Sequence, residues 1–190
     1  MYRTTRILLA SASPRRADLL RAAGIPFEIV TSGIDEAQNE GEPPEAYVVR
    51  VARDKAEAAL RRKSGNPVLA ADTVVVYEGI VLGKPADPGE ARAMLERLSG
   101  RAHDVLTGVA LRVNAREWTA VERTRVHFLP ISADEIEWYV ASEEPLDKAG
   151  AYAIQGLASR FVDRIEGSYS NVVGLPVATV YSLLRQARVL

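Results

Sequence analysis

The stretch Ile7-Leu8-Leu9-Ala10-Ser11-Ala12-Ser13-Pro14-Arg15-Arg16 decides how the N-terminal part of the chain folds. Its apolar first half predicts a buried strand, and residues 17–24 have the composition of a helix. Ser13 can cap that helix, and Pro14 suits the first helical position because the N–H that proline lacks would be unpaired there. Gly24 can close the far end. The stretch therefore predicts a strand, a tight loop and a helix.

Arg15 and Arg16 stand at the start of this helix, where backbone N–H groups and the positive end of the helix dipole attract negative charge. The pattern also fits a helix start whose arginines are simply solvated, and the motif alone leaves both interpretations open. Residues elsewhere in the sequence are needed to distinguish an anion site from a solvated helix end.

Composition limits the classes of protein to which the chain can belong. Its 190 residues are 47% hydrophobic with a formal net charge of -1, which suits one domain with a sizeable core. Because the charges nearly cancel, we expect no nucleic-acid or membrane partner, and any anion site must be local. The absence of cysteine excludes disulfides and thiolate chemistry. With no signal peptide or membrane-spanning stretch, we expect a cytoplasmic protein.

The order of predicted elements indicates an α/β fold, with a mixed sheet flanked by helices. Buried or alternating strands are predicted at residues 68–77, 105–113 and 118–129, and helices at residues 45–62, 87–98 and 132–140 and after Pro176. No repeat or linker divides the chain. We therefore expect a single domain over residues 1–190, with two lobes whose one candidate boundary lies near residue 100.

Four charged residues are candidates for a shared site. Asp72 interrupts an apolar run, and a buried carboxylate must be paired or bind a cation. Lys84 follows one hairpin later, Glu36 lies on an acidic loop and Lys55 on the second predicted helix. Taken singly, Asp72 also fits a turn cap, and the other three also fit solvated charges. As a set they suit phosphoryl chemistry, in which carboxylates hold Mg²⁺ and cations clamp phosphate oxygens.

Several sequence motifs that mark known classes of enzyme are missing. The chain has no P-loop, no Gly-x-Gly-x-x-Gly and no Gly-x-Ser-x-Gly elbow. His127 lies in an alternating strand and is expected to be structural, whereas His103 stays open as a structural or a functional residue.

The amide of Gln155 can match the donor and acceptor edge of uracil or thymine, or, after flipping, cytosine. It also fits a role in stabilising its own loop.

Taken together, these motifs resemble the Maf family of nucleotide pyrophosphatases, also called septum-formation inhibitor proteins. The matching segments occur in order along nearly the whole chain, at residues 8–16, 71–75, 83–85, 98–100, 103, 107–108, 147–152, 154–156, 167–169 and 173–176. The resemblance implies a two-lobed Maf/ITPase-like fold with a central cleft, often dimeric. It also implies hydrolysis of nucleoside triphosphates to monophosphate and pyrophosphate with a divalent metal.

The same resemblance implies roles for individual residues. Asp72 matches the catalytic carboxylate, and the other charged site positions are matched by Arg16, Glu36, Lys55 and Lys84. Arg15, Thr73 and Gln155 match the positions that select the base, and they look like the dTTP/UTP branch rather than the 7-methyl-GTP branch. CTP and modified pyrimidine nucleotides stay open as substrates. The implied role is removal of unwanted nucleotides, with a link to cell-division arrest.

The ordinary acidity of aspartate argues against Asp72 acting by itself as the base. Because an ordinary aspartate has a pKa of about 3.9, it is a weak base at neutral pH, and a metal-activated water is easier to justify. We expect Asp72 and Glu36 to hold Mg²⁺ or Mn²⁺ and to orient the water toward the α-phosphate. The arginine pair, Lys55 and Lys84 would neutralise the leaving pyrophosphate, and Ser13 would bind substrate at the helix start. The rival interpretations are a γ-phosphatase and a non-catalytic nucleotide-binding regulator of septum formation.

Overall fold

The computed structural model describes residues 5–31, 33–63 and 65–190. Within them the strands are β1 (Ile7–Leu9), β2 (Phe27–Ile29), β3 (Val68–Tyr77), β4 (Ile80–Leu82), β5 (Ala102–Val113), β6 (Arg116–Phe128) and β7 (Val162–Glu166). The α-helices are α1 (Pro14–Ala22), α2 (Pro44–Arg62), α3 (Pro88–Leu98), α4 (Ala133–Val140), α5 (Tyr169–Val173) and α6 (Val177–Gln186). Short 3-10 helices cover Glu144–Asp147, Ala149–Ala151 and Leu157–Phe161.

The strands form one mixed sheet in the order β2-β1-β3-β5-β6-β7, with β4 paired to β3. Strand β1 runs parallel to β2 and β3, whereas the β3–β4 and β6–β7 pairs are antiparallel. Most of the first half of β3 is buried, as its continuous apolar sequence predicts for a strand covered on both faces. The predicted α/β fold class is confirmed.

Two compact units are interleaved along the chain. Unit 1 consists of Met1–Asp72, Thr107–Glu122 and Gly174–Leu190, and unit 2 of Thr73–Leu106 and Arg123–Val173. Three of the four changes of unit fall inside the strands β3, β5 and β6. The boundary expected near residue 100 rests on linker signals, whereas a change of unit within a strand leaves no such signal in the composition of the chain.

Unit 1 has an apolar cluster on each face of its part of the sheet. Ile7 and Leu9 pack with residues of α1 and α6, whereas their neighbour Leu8 packs with residues of α2. This division follows from the alternation of side chains along a strand. Burial on both faces holds β1 and the loop that follows it between helices.

Helix α2 comes unusually close to strand β5 at Gly108. A Cβ atom built on Gly108 would lie 2.3 Å from the carbonyl oxygen of Val48, so a larger residue would push the helix away. Ala52 and Ala56, both fully buried, extend the same close contact along the helix. Small residues therefore fix the position of α2, the helix on which Lys55 lies.

The ends of helix α1 agree with the sequence in part. The helix begins at Pro14, and Gly24, with a φ of 66°, follows its end. The N–H groups of Gly24 and Ile25 donate to the carbonyl oxygens of Arg21 and Leu20, at 3.1 and 3.0 Å, which is a Schellman motif. Ser13 is the N-cap residue, but its side chain makes no capping hydrogen bond, so that part of the prediction is wrong. The backbone N–H of Ser13 donates instead to Ser11 Oγ at 3.2 Å, which directs the loop toward Ser11.

Unit 2 buries its own apolar cluster, which joins helices α3 and α4 to the second half of β3 and to β6. A capping box of Ser132 and Glu135 begins α4, in the helix predicted at residues 132–140. Sequence reasoning missed α5, since five residues give too little periodicity to detect. Ser32 and Ser64 are outside the described residues. None of the described helices is long and apolar enough to cross a membrane.

Candidate active site

The carboxylate of Asp72 is buried in unit 1 and pairs with an equally buried lysine. Lys55 Nζ donates to Asp72 Oδ1 at 2.7 Å, and the same nitrogen lies 2.8 Å from Glu36 Oε2. The side chains of Lys55 and Asp72 are each 8% exposed, whereas that of Glu36 is 49% exposed. The structure thus brings together three of the predicted site residues, with one ammonium group between two carboxylates.

Arg16 is the second buried cation of this site. Its Nε donates to the carbonyl oxygen of Gly174 at 2.7 Å, and its Nη1 donates to Ser11 Oγ at 3.2 Å. Burial lowers the pKa of the Arg16 guanidinium, while Asp72 and Glu36 act in the opposite direction. The two carboxylates therefore stabilise the charge that burial disfavours.

The four side chains carry two positive and two negative formal charges. Burying an unpaired charge would be costly, so Asp72, Lys55 and Arg16 depend on one another and on Glu36. Burial raises the pKa of the nearby Tyr47 phenol, and the negative charges of Asp72 and Glu36 raise it further. Because the four charges balance, the cluster has no net positive charge. Binding of a polyanionic ligand would therefore need cations from other residues.

Two side chains of helix α2 hold the loop that carries Glu36. Tyr47 OH donates to the carbonyl oxygen of Glu36 at 2.7 Å, and Arg50 Nη2 donates to that of Ala37 at 2.9 Å. Arg50 also makes a two-pronged contact with the Glu42 carboxylate, at 2.7 and 2.8 Å. Sequence reasoning missed this clamp, because Glu42 precedes the helix and no helical spacing connects it to Arg50. One helix thus positions both Lys55 and Glu36.

Ser13 and Arg15 stand beside Arg16 at the start of α1, and each is partly exposed. No acidic residue occupies the first turn of this helix, so its partial positive charge is not offset there. This arrangement favours an anion at the helix start.

The remaining predicted residues belong to unit 2. Thr73 directly follows Asp72 in β3, and Gln155 is exposed on a turn closed by a hydrogen bond from Gly156 N–H to the Ala153 carbonyl at 3.0 Å. Lys84 is exposed just after β4. Since Leu82 pairs with Val75 in an antiparallel register, the chain after β4 runs back in the direction of Thr73.

The two histidines take no part in the charged cluster. His103 is 2% exposed, its Nε2 lies 2.9 Å from Tyr152 OH, and burial lowers its pKa to about 4. His103 is therefore neutral at physiological pH and packs edge-on against Phe128. His127 Nε2 lies 2.9 Å from Glu166 Oε1 across the β6–β7 pair, a structural role as predicted.

The donors at the cluster fit one kind of metal site. Among the described residues, no group of three or more His, Cys, Asp or Glu side chains could hold a metal ion. Asp72 and Glu36 are two hard oxygen donors that converge on the same nitrogen of Lys55. Mg²⁺ commonly binds one or two carboxylates and completes its shell with water and substrate phosphates. The pair fits such an ion, which would depend on the substrate for further ligands.

A cluster with balanced charges lies beside a helix start on an α/β sheet, an arrangement that suits the binding of an anion. The sequence profile described as Maf-like protein matches residues 6–187, and the chain belongs to this family. It is 54% identical over 187 residues to the dTTP/UTP pyrophosphatase of Anaeromyxobacter sp. (strain Fw109-5), covering 96% of this chain and 89% of that protein. It is 50% identical to the dTTP/UTP pyrophosphatase of Geotalea uraniireducens (strain Rf4), covering 98% and 97%.

The fold also has a distant structural counterpart. The Ham1 protein of Staphylococcus aureus superimposes with a TM-score of 0.53 at 15% sequence identity, covering 96% of this chain and 99% of that protein. At this identity the likeness concerns the fold alone. The family predicted from the sequence motifs is thus confirmed, and the individual site residues stay predictions.

Proposed function

We propose that the protein is a nucleoside triphosphate pyrophosphatase that hydrolyses dTTP and UTP to the monophosphate and pyrophosphate. The observation that carries this proposal is the charged cluster in which the buried side chains of Asp72, Lys55 and Arg16 meet the half-exposed side chain of Glu36. It lies in a chain about half identical, over nearly its full length, to proteins named dTTP/UTP pyrophosphatase.

The charged cluster acts on the phosphates. A water oxygen bonds to the α-phosphorus while the bond from that phosphorus to the bridging oxygen breaks. The electron pair leaves with pyrophosphate, and the proton that the water gives up passes to solvent. Asp72 and Glu36 orient the water by accepting its hydrogen bonds, and they are the residues that would hold Mg²⁺ or Mn²⁺. When bound, such an ion neutralises phosphate charge and makes a coordinated water more acidic.

The cations have separate tasks in this proposal. The 2.7 and 2.8 Å contacts of Lys55 support a role in holding the two carboxylates, a task that the sequence did not suggest. Arg16 is fixed by its contacts with Gly174 and Ser11, so it offers charge at a constant position. Lys84 and the helix start with Ser13 supply further positive potential for the triphosphate.

Base selection is assigned to Gln155, with Thr73 and Arg15. Gln155 is exposed on a short turn, and an amide presents a donor and an acceptor side by side. This pair matches the imide edge that thymine and uracil share. The proposal therefore assigns the chemical step to the charged cluster of unit 1, with Lys84 of unit 2 adding positive potential. Base selection is assigned to Gln155 and Thr73 of unit 2, together with Arg15 of unit 1.

The products formed from a nucleotide panel in ¹⁸O-labelled water test the proposal. With Mg²⁺ or Mn²⁺, we expect dTTP and UTP to give monophosphate and pyrophosphate, with the label in the monophosphate. Orthophosphate would identify a γ-phosphatase, and nucleotide binding without turnover would favour the non-catalytic regulator. A preference for 7-methyl-GTP over dTTP and UTP would contradict the assignment of Thr73 and Gln155.

A further inference from the structure

The turn that carries Gln155 is tied to unit 2 at both ends. Glu144 Oε2 accepts a hydrogen bond from the backbone N–H of Leu157 at 3.1 Å, on the C-terminal side of the turn. On the N-terminal side, the backbone N–H of Ala153 donates to Tyr139 OH at 3.2 Å. Tyr139 OH in turn donates to Glu144 Oε1 at 2.8 Å. One carboxylate is therefore connected to both sides of the turn.

Close packing at Gly156 adds a second constraint. A Cβ atom built on Gly156 would lie 2.2 Å from Glu144 Oε2 and 2.5 Å from Oε1, which is shorter than any normal contact. The φ of Gly156 is -109°, so the nearby carboxylate, and not left-handed backbone, is what a larger residue would disturb at this position. The carboxylate thus lies directly against the residue that follows Gln155.

The surroundings of Glu144 fix its carboxylate in turn. Tyr139 is completely buried at the end of helix α4, and burial raises the pKa of its phenol, with the hydrogen bond to Glu144 as a further cause. The phenol thus remains a donor to Glu144 at all ordinary pH values. A rigid phenol on one side and a backbone N–H on the other leave the carboxylate little freedom.

We propose that Glu144 is a positioning residue for nucleobase selection, because its carboxylate holds the Ala153–Leu157 turn and so the amide of Gln155. Glu144 acts through Gln155 and makes no contact with the reacting phosphate. The inference rests on the proposed function, since it concerns how the same site distinguishes its substrates.

Glu144→Gln is the first test, because it keeps the size of the side chain and removes one of two acceptor oxygens. One of the donors, Tyr139 OH or Leu157 N–H, would then face an NH₂ group. We expect the KM for dTTP to rise about tenfold, and the preference in kcat/KM for dTTP over dATP to fall by a similar factor. The kcat for dTTP should stay within about threefold, a split that general loosening of the fold would not produce.

Gly156→Ala provides a second route to the same turn. Its Cβ would displace the carboxylate, so we expect the same rise in KM and the same loss of base preference. In a Glu144→Ala background the obstructing carboxylate is absent, and adding Gly156→Ala should change the KM by less than about twofold. Glu137→Gln is the matched control, because Glu137 is an exposed carboxylate of α4 that pairs with Arg92. It should leave both constants unchanged.

These kinetic measurements test the role of Glu144 separately from the proposed function. A folded Glu144→Gln protein with wild-type KM and wild-type preference for dTTP over dATP would overturn the role of Glu144. If that protein does not fold, a folded Gly156→Ala protein with unaltered constants would overturn it equally. A wild-type protein that does not hydrolyse dTTP, or that shows no preference over dATP, would instead contradict the proposed function, and the two failures are therefore distinguishable.

Discussion

The charged cluster of unit 1 and the Gln155 turn of unit 2 are built in different ways. In unit 1, buried charged side chains on a strand and two helices stabilise one another, by direct contact in the Lys55–Asp72 pair and by charge attraction between Arg16 and Asp72. In unit 2, an irregular segment is held by hydrogen bonds from its backbone to Tyr139 and Glu144. Under the proposed function, the chemical step, which tolerates little displacement, would be placed on regular elements, whereas base recognition would be placed on a turn.

The largest expected effect comes from Asp72→Asn. This change keeps the shape of the side chain but removes the negative charge that pairs with Lys55 and that would orient the attacking water. We expect kcat for dTTP to fall by about 10³ or more, with a folded protein by circular dichroism. Asp18→Asn, at an exposed carboxylate on α1 that pairs with Arg21, is the control. Near-normal turnover by a folded Asp72→Asn protein would remove unit 1 from the chemical step.

Lys55→Met tests whether the buried charges of unit 1 depend on one another. It leaves Asp72 buried without its ammonium partner, so we expect the free energy of unfolding to fall by about 3 kcal/mol, measured by urea denaturation at pH 7.

A second change should restore much of this loss. Lys55→Met/Asp72→Asn removes both charges, so we expect it to be more stable than Lys55→Met alone. Lys63→Met, at an exposed lysine paired with Glu28, should change stability by less than about 1 kcal/mol. Equal stability of the single and double variants would show that the pair is not coupled.

In contrast to the charged side chains buried in unit 1, His103 of unit 2 is buried as a neutral group. The free energy of unfolding should therefore depend on pH through this residue. Burial lowers its pKa from 6.5 to about 4, so between these values the unfolded chain binds more protons than the folded protein. The contribution of neutral His103 to the free energy of unfolding is thus fully present above pH 6.5. It is lost as the pH falls toward 4, by about 3 kcal/mol in total.

Replacing His103 checks this dependence. We expect His103→Gln to lose less stability than the wild type between pH 7 and pH 4, as measured by urea denaturation at each pH. His127→Gln, which alters the other histidine, should follow the wild-type curve more closely. A His103→Gln protein with the full wild-type loss would mean that His103 is not the group responsible.

The clamp on the Glu36 loop should give a smaller effect. Arg50→Gln removes the two-pronged contact with Glu42 and the bond to the Ala37 carbonyl, while Tyr47 still holds the loop. We expect kcat for dTTP to fall about tenfold, because Glu36 is less well placed. Arg61→Gln, at an exposed arginine of α2 that pairs with Glu57, should have wild-type kinetics. If the two variants behave alike, the loop does not need the clamp.

Sequence reasoning found the charged residues but not the contacts that organise them. Asp72 was recognisable because a carboxylate within an apolar strand must have a partner, and Gln155 through its motif. The position of Lys55 between two carboxylates depends on how closely α2 packs at Gly108, which no local pattern reveals. The role proposed for Glu144 was equally hidden, because no local pattern connects its carboxylate to its two partners, the Tyr139 phenol and the Leu157 N–H group.

The kinetics of Gln155→Ala with dTTP test the division between the two regions most directly. If unit 1 carries out the chemistry and the turn only selects the base, KM should rise at least tenfold, while kcat stays within about threefold of the wild type. The preference in kcat/KM for dTTP over dATP should fall with it. A collapse of kcat with an unchanged KM and unchanged base preference would contradict the account.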